Sequence, residues 1–66
     1  MFFAIKDPDG FYYCGYNHWD NQLRKATLYS SYNMAVNCRD DTRFKDRKPF
    51  IVKVEISEIG YYNPDL

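Results

Sequence analysis

The clearest pattern in the chain is an alternation over residues 50–57. Phe50, Val52, Val54 and Ile56 fall on one side, and Ile51, Lys53, Glu55 and Ser57 on the other. A period of two belongs to a strand with one buried and one solvated face, and the run predicts a strand over residues 50–59. Nearer the start, the apolar run of residues 2–6 is stopped by Asp7-Pro8-Asp9-Gly10, and Phe11-Tyr12-Tyr13-Cys14-Gly15-Tyr16 follows. Proline presets φ for a turn and glycine accepts the left-handed conformation that closes it, so the segment predicts a hairpin with a three-residue loop and a bulge at Gly10. Residues 17–22 are polar except for Trp19 and read as a loop. Residues 25–29 read as a third strand, Ala26 and Leu28 facing one way, Thr27 and Tyr29 the other.

The period changes after Ser30 and Ser31, whose hydroxyls suit a helix N-cap. Met34, Ala35, Cys38 and Thr42 then share one helical face. The helix is expected to fray through Arg43, Lys45, Arg47 and Lys48, where cations complement a helix C-terminus, and Pro49 ends it. The predicted architecture is α+β: one domain over residues 1–60, a four-stranded, mainly antiparallel sheet in the order β-β-β-α-β with one helix packed on one face, and a tail at 61–66. A right-handed crossover would set the last strand beside the first and parallel to it. The predicted core is Phe3, Ile5, Phe11, Tyr13, Ala26, Leu28, Met34, Ala35, Cys38, Val52, Val54 and Ile56.

Composition alters this picture in one respect. Seven Tyr, five Phe and one Trp make the chain 20 % aromatic, more rings than a one-helix core can hide, so some must lie on a surface. With a three-residue hairpin loop, Phe2, Ala4, Tyr12, Cys14 and Tyr16 share the face opposite the helix, joined by Tyr29 and Ile51 from neighbouring strands. That face, with His18 and Trp19 in the adjacent loop, is the candidate binding surface. A shift of one residue in register would instead bury Tyr12, Cys14 and Tyr16 and bring out Phe11 and Tyr13. Tyrosine-rich, lightly charged patches suit protein partners; the rival uses are stacking on nucleic-acid bases and homodimer formation.

Nine Lys plus Arg balance nine Asp plus Glu. Zero net charge counts against a sequence-independent nucleic-acid binder, which needs a basic excess. The one basic cluster, Arg43, Lys45, Arg47 and Lys48, is a candidate contact for phosphate or an acidic surface, or simply a helix end. Cys14, His18 and Cys38 lack the paired spacings of a zinc site, and nothing near Cys14 and His18 supplies an oxyanion hole. Asp7, Asp9 and Gly10 lack the further ligands of a calcium loop. The reading is a binding protein and not an enzyme, with no cofactor and no metal. No apolar run has the length of a membrane span, and Met1 leads into a strand without a basic leader, so reduced cysteines and a cytoplasmic location are expected.

The segment Lys25-Ala26-Thr27-Leu28-Tyr29-Ser30-Ser31 leading into Met34-Ala35 resembles a strand–Ser–helix unit of small phage and prophage proteins of Gram-positive bacteria. Phe3-Ala4-Ile5-Lys6 with Gly10-Phe11-Tyr12-Tyr13, and Ile51-Val52-Lys53-Val54-Glu55-Ile56, are similar to the same group. Some small phage proteins of this size inhibit host defence systems such as CRISPR. The resemblance implies a host protein as partner and supplies no functional residue.

Overall fold

Asp7 organises the first turn. Its carboxylate accepts the main-chain N–H groups of Asp9 (3.0 Å) and Phe11 (2.9 Å), and its carbonyl accepts the Gly10 N–H (3.1 Å). Gly10, at φ 92°, supplies the left-handed step. The three-residue loop so formed joins β1 (Phe2–Lys6) to β2 (Tyr12–Gly15), with Lys6 opposite Tyr12. This is the predicted hairpin in the predicted register. The computed structural model describes residues 1–57, 60–62 and 64.

The next segments depart from expectation. Tyr16 and Asn17 both take positive φ (52° and 59°), the mark of a two-residue hairpin turn. The expected loop therefore contains a strand, β3 (His18–Asp20), antiparallel to β2, with Trp19 opposite Tyr13 and a bulge between Tyr13 and Gly15. The expected strand over 25–29 is instead a first 3₁₀ helix (Leu23–Lys25) and an extended stretch with a single bridge, Tyr29 to Phe3. Phe3 and Tyr29 exchange two main-chain hydrogen bonds of 2.8 Å, and the Thr27 N–H donates to the Tyr13 carbonyl at 2.9 Å. Strands β1 and β2 meet at Lys6 and Tyr12 and part beyond, and residues 27–29 lie in the fork, bonded to both.

Ser31 caps the helix as predicted: its hydroxyl accepts the Met34 N–H at 3.1 Å at the start of α1 (Tyr32–Arg39). The basic run is not the end of that helix. Asp41 begins a second 3₁₀ helix (Thr42–Arg47) by accepting the Arg43 N–H at 2.9 Å. Then come β4 (Phe50–Ser57) and β5 (Gly60–Tyr62). The expected strand residues Glu58 and Ile59 lie outside the described residues, as do 63, 65 and 66 of the expected tail, whereas Tyr61 and Tyr62 belong to β5.

The sheet has five strands, not four, in the order β3-β2-β1-β4-β5, every pair antiparallel. β4 lies beside β1 as expected, but it runs antiparallel to it, placing Phe2 opposite Val54 and Ala4 opposite Val52. The fork explains the reversal. Residues 27–29 make an extra pass antiparallel to β1, so the helical crossover returns the chain parallel to that pass and not to β1.

Both faces of the sheet are covered. Ala4, Tyr12, Val52 and Val54 form one layer, with Phe2, Leu23, Ala26 and Leu28 packed on it. Ile5, Tyr13 and Phe44 form the other, with Trp19, Tyr29 and Cys38. α1 lies on this second side, burying Ala35 and setting Tyr32 edge-on to Phe3 at 5.7 Å. Val52 and Val54 are core as predicted, but on the face away from the helix. Phe11, Met34 and Ile56, also predicted core, are exposed. The hydroxyl-capped first turn of α1 turns Met34 outward, and an 8-residue helix has only a narrow stripe to bury.

Candidate binding surface at the second hairpin turn

The expected aromatic face is not open. Tyr12 is 6 % exposed, with Lys6 Nζ 5.2 Å from its ring centroid and the Leu23–Leu28 side of the chain packed over its layer. Tyr29 is half-buried on the opposite side and donates its hydroxyl to Cys38 Sγ at 3.1 Å. Burial first, then the Cys38 contact, pushes the Tyr29 phenol well above its ordinary value. Trp19 is half-buried, its ring 5.4 Å from both Tyr13 and Phe44; it closes the open end of the helix-side layer.

Tyr16 is the exception. Its side chain is fully exposed (101 %) on a backbone at φ 52°, a region bulky L-residues seldom occupy. The turn that carries it is held from below: Arg43 Nη1 donates to Asn17 Oδ1 at 3.0 Å. Exposed His18 follows at the start of β3. The two-residue turn thus presents a tyrosine at its tip and an imidazole beside it, on a hairpin pinned to the second 3₁₀ helix.

That helix uses most of its cations internally. Arg43 pairs with Asp41 at 3.1 Å and stacks over Phe44 at 5.1 Å. The Arg43 amide, then its guanidinium, hold the Asp41 carboxyl below the usual carboxylate range. Arg47 donates to Asp7 at 2.8 Å and lies 4.4 Å over the Trp19 ring. Lys45 and Lys48 are exposed, Lys48 in the left-handed region at φ 51°. The four cations expected to act together are therefore split, Arg43 and Arg47 ion-paired to carboxylates of the fold and, among the described residues, Lys45 and Lys48 not, although all four reach solvent. The cleft beside Arg47 and Lys48, about 570 Å³, is also lined by Asp7, Asp9 and Asp46, so it presents both signs of charge.

The Cys14 thiol donates to the Tyr12 carbonyl at 3.3 Å, and burial, followed by nearby Asp20, pushes its pKa up. A thiol so placed stays protonated and is a poor nucleophile. Both cysteines are free thiols, and among the described residues no three His, Cys, Asp or Glu side chains converge to hold a metal. Among the same residues no helix is long and apolar enough to cross a membrane.

Of the residues singled out in the sequence, the structure brings together Tyr16, His18 and Arg43, and withdraws Tyr12, Trp19 and Tyr29 into the two layers. Asn17 and Phe44, which hold this end of the molecule in place, were not singled out. The pair Tyr16-Asn17 between two β-rich runs was the available signal, since Asn is a favoured residue for positive φ in a hairpin turn. No family model, curated protein or solved structure matches the chain.

Proposed function

We propose that this chain is a binding protein that occupies a protein partner through the second hairpin turn, with Tyr16 as the anchor and His18 beside it. The observation that carries the reading is Tyr16 itself, a large ring held wholly in water on a left-handed backbone. The turn needs a left-handed residue at this position but not a large ring, and a pre-organised aromatic at a pinned tip is what a partner's pocket can use at little entropic cost. A host protein as partner, with a bacterial defence component as the specific case, rests on the resemblance to small phage proteins alone. Pairing of Arg43 with Asp41 and of Arg47 with Asp7, which offsets their charge, disfavours the alternative of a nucleic-acid accessory protein.

The test compares the wild-type chain with Tyr16→Gly as immobilised baits in a bacterial lysate. Glycine relieves the backbone strain, so the variant should melt no lower than wild type, gaining up to about 1 kcal/mol. A protein retained by wild type, at least roughly tenfold less by the variant and insensitive to added salt, supports the proposal. Equal retention by the two baits refutes it.

A further inference from the structure

The two main-chain groups of Trp19 face the free edge of the sheet. In an antiparallel ladder a residue directs its N–H and C=O to the same side. The Tyr13 carbonyl is taken by Thr27, on the side of β2 that faces β1. Tyr13 and its opposite residue Trp19 are therefore a pair without mutual hydrogen bonds, and the Trp19 N–H and C=O turn outward. β3 is the last strand at that end of the sheet, and among the described residues no main-chain partner lies beyond it.

The strand is also self-complementary. Pairing with a second copy about a two-fold axis through Trp19 would let each Trp19 give and receive one main-chain hydrogen bond. The same register sets His18 opposite Asp20 of the second copy, and Asp20 opposite its His18, so a basic-capable ring meets a carboxylate at both flanks. Within one chain Asp20 is held by Gln22 N–H at 2.8 Å and faces Lys25 at 3.6 Å, which fixes its carboxylate at the edge. The chain carries no net charge, so no long-range repulsion opposes a symmetric approach.

We propose that two copies of this chain associate edge to edge along β3, extending the sheet across a two-fold axis at Trp19 with His18 and Asp20 paired across it. Three residues per strand give few contacts, so the association is weak and concentration-dependent. It uses the edge of β3, leaves the Tyr16 ring outside and shares only His18 with the partner-binding reading, so self-association and Tyr16-dependent capture are read out separately.

Sedimentation equilibrium and amide exchange of the intact chain test it together. The average mass should climb from 7.9 kDa toward twice that value as concentration approaches about 1 mM, and exchange of the Trp19 amide should slow in step. His18→Asp sets like charges opposite each other and should weaken association at least roughly tenfold, whereas His18→Lys should preserve or strengthen it. His18 is exposed, so both variants should keep the wild-type circular dichroism. A mass that stays monomeric throughout overturns the proposal. So does a dimer whose Trp19 amide exchanges at a concentration-independent rate, or one that the two His18 variants affect alike.

Discussion

Arg47 reaches back to Asp7 and donates to its buried carboxylate at 2.8 Å, joining the second 3₁₀ helix to the first hairpin turn. The same guanidinium covers the Trp19 ring, so one side chain fastens three segments. The partners are unequal: Asp7 is 2 % exposed, while the Arg47 side chain is 44 % exposed. Arg47→Ala should therefore cost about 1–2 kcal/mol, the solvent-facing cation being partly screened. Asp7→Ala should cost more, about 2–3 kcal/mol, because the Asp9 and Phe11 amides lose their acceptor as well. Urea titrations of the two variants give the order directly, and a larger loss for Arg47→Ala would show that the turn does not depend on Asp7.

Val54 is fully buried between Phe2 and the Leu28 segment, whereas its neighbour Lys53 is exposed. Val54→Ala should lower stability by about 1–3 kcal/mol through lost burial and an incompletely closed cavity. Lys53→Ala should change it by less than about 0.5 kcal/mol. Thermal melts that reversed this order would contradict the facing of β4.

Trp19, Tyr13 and Phe44 form a ring cluster with centroids 4.7–5.4 Å apart. Trp19→Ala should act mainly on the fold, costing about 2–4 kcal/mol, and Phe44→Leu should cost about 1 kcal/mol. Trp19 is the sole tryptophan, so its emission reports on the cluster: Phe44→Leu should shift it to the red without unfolding the chain. An unchanged emission maximum would mean that Phe44 does not shield the indole.

Tyr29 should make the fold sensitive to alkali. Burial and the Cys38 contact raise its phenol above the ordinary value of 10.0. A raised folded-state pKa contributes stability that is complete below the unfolded value and is lost as pH climbs through the interval above it. Melting temperature should thus fall from about pH 10 upward, and Tyr29→Phe should flatten that fall. At neutral pH the substitution should cost only about 0.5 kcal/mol, since a thiol is a weak acceptor.

The parts of the fold legible in the sequence are those fixed by local chemistry. The Asp7-to-Gly10 turn, the Ser31 cap and the alternation in β4 each follow from residues close together in the chain. The parts that were not legible depend on what lies across the sheet. Trp19 has polar neighbours because β3 is a three-residue edge strand with only that ring turned inward, so no periodicity could develop. Residues 25–29 alternate like a strand, yet the fork gives them one bridge, and their apolar side covers Tyr12. Phe44 stands alone among charges and read as part of a helix end, although it is 2 % exposed. The candidate site fared in the same way. Tyr16 and His18 stand out as residues, but the turn that presents them does not, and the rings left on the surface, Phe11, Tyr16, Tyr32, Phe50, Tyr61 and Tyr62, are scattered and do not share the one expected face.

The fork between β1 and β2 has a kinetic meaning. β1 is completed by Tyr12 on one hand, Tyr29 in the cleft, and Val52 and Val54 on the far side, so its partners are spread along nearly the whole described chain. Such long loops must close before their contacts repay the entropy, and folding should be slow for so small a domain and close to all-or-none. A chain cut short of Phe50, by a protease or a stalled ribosome, would leave β1 with one bare flank and the layer around Ala4 and Tyr12 unsealed. The product would be an aggregation-prone fragment and not a smaller version of the same protein.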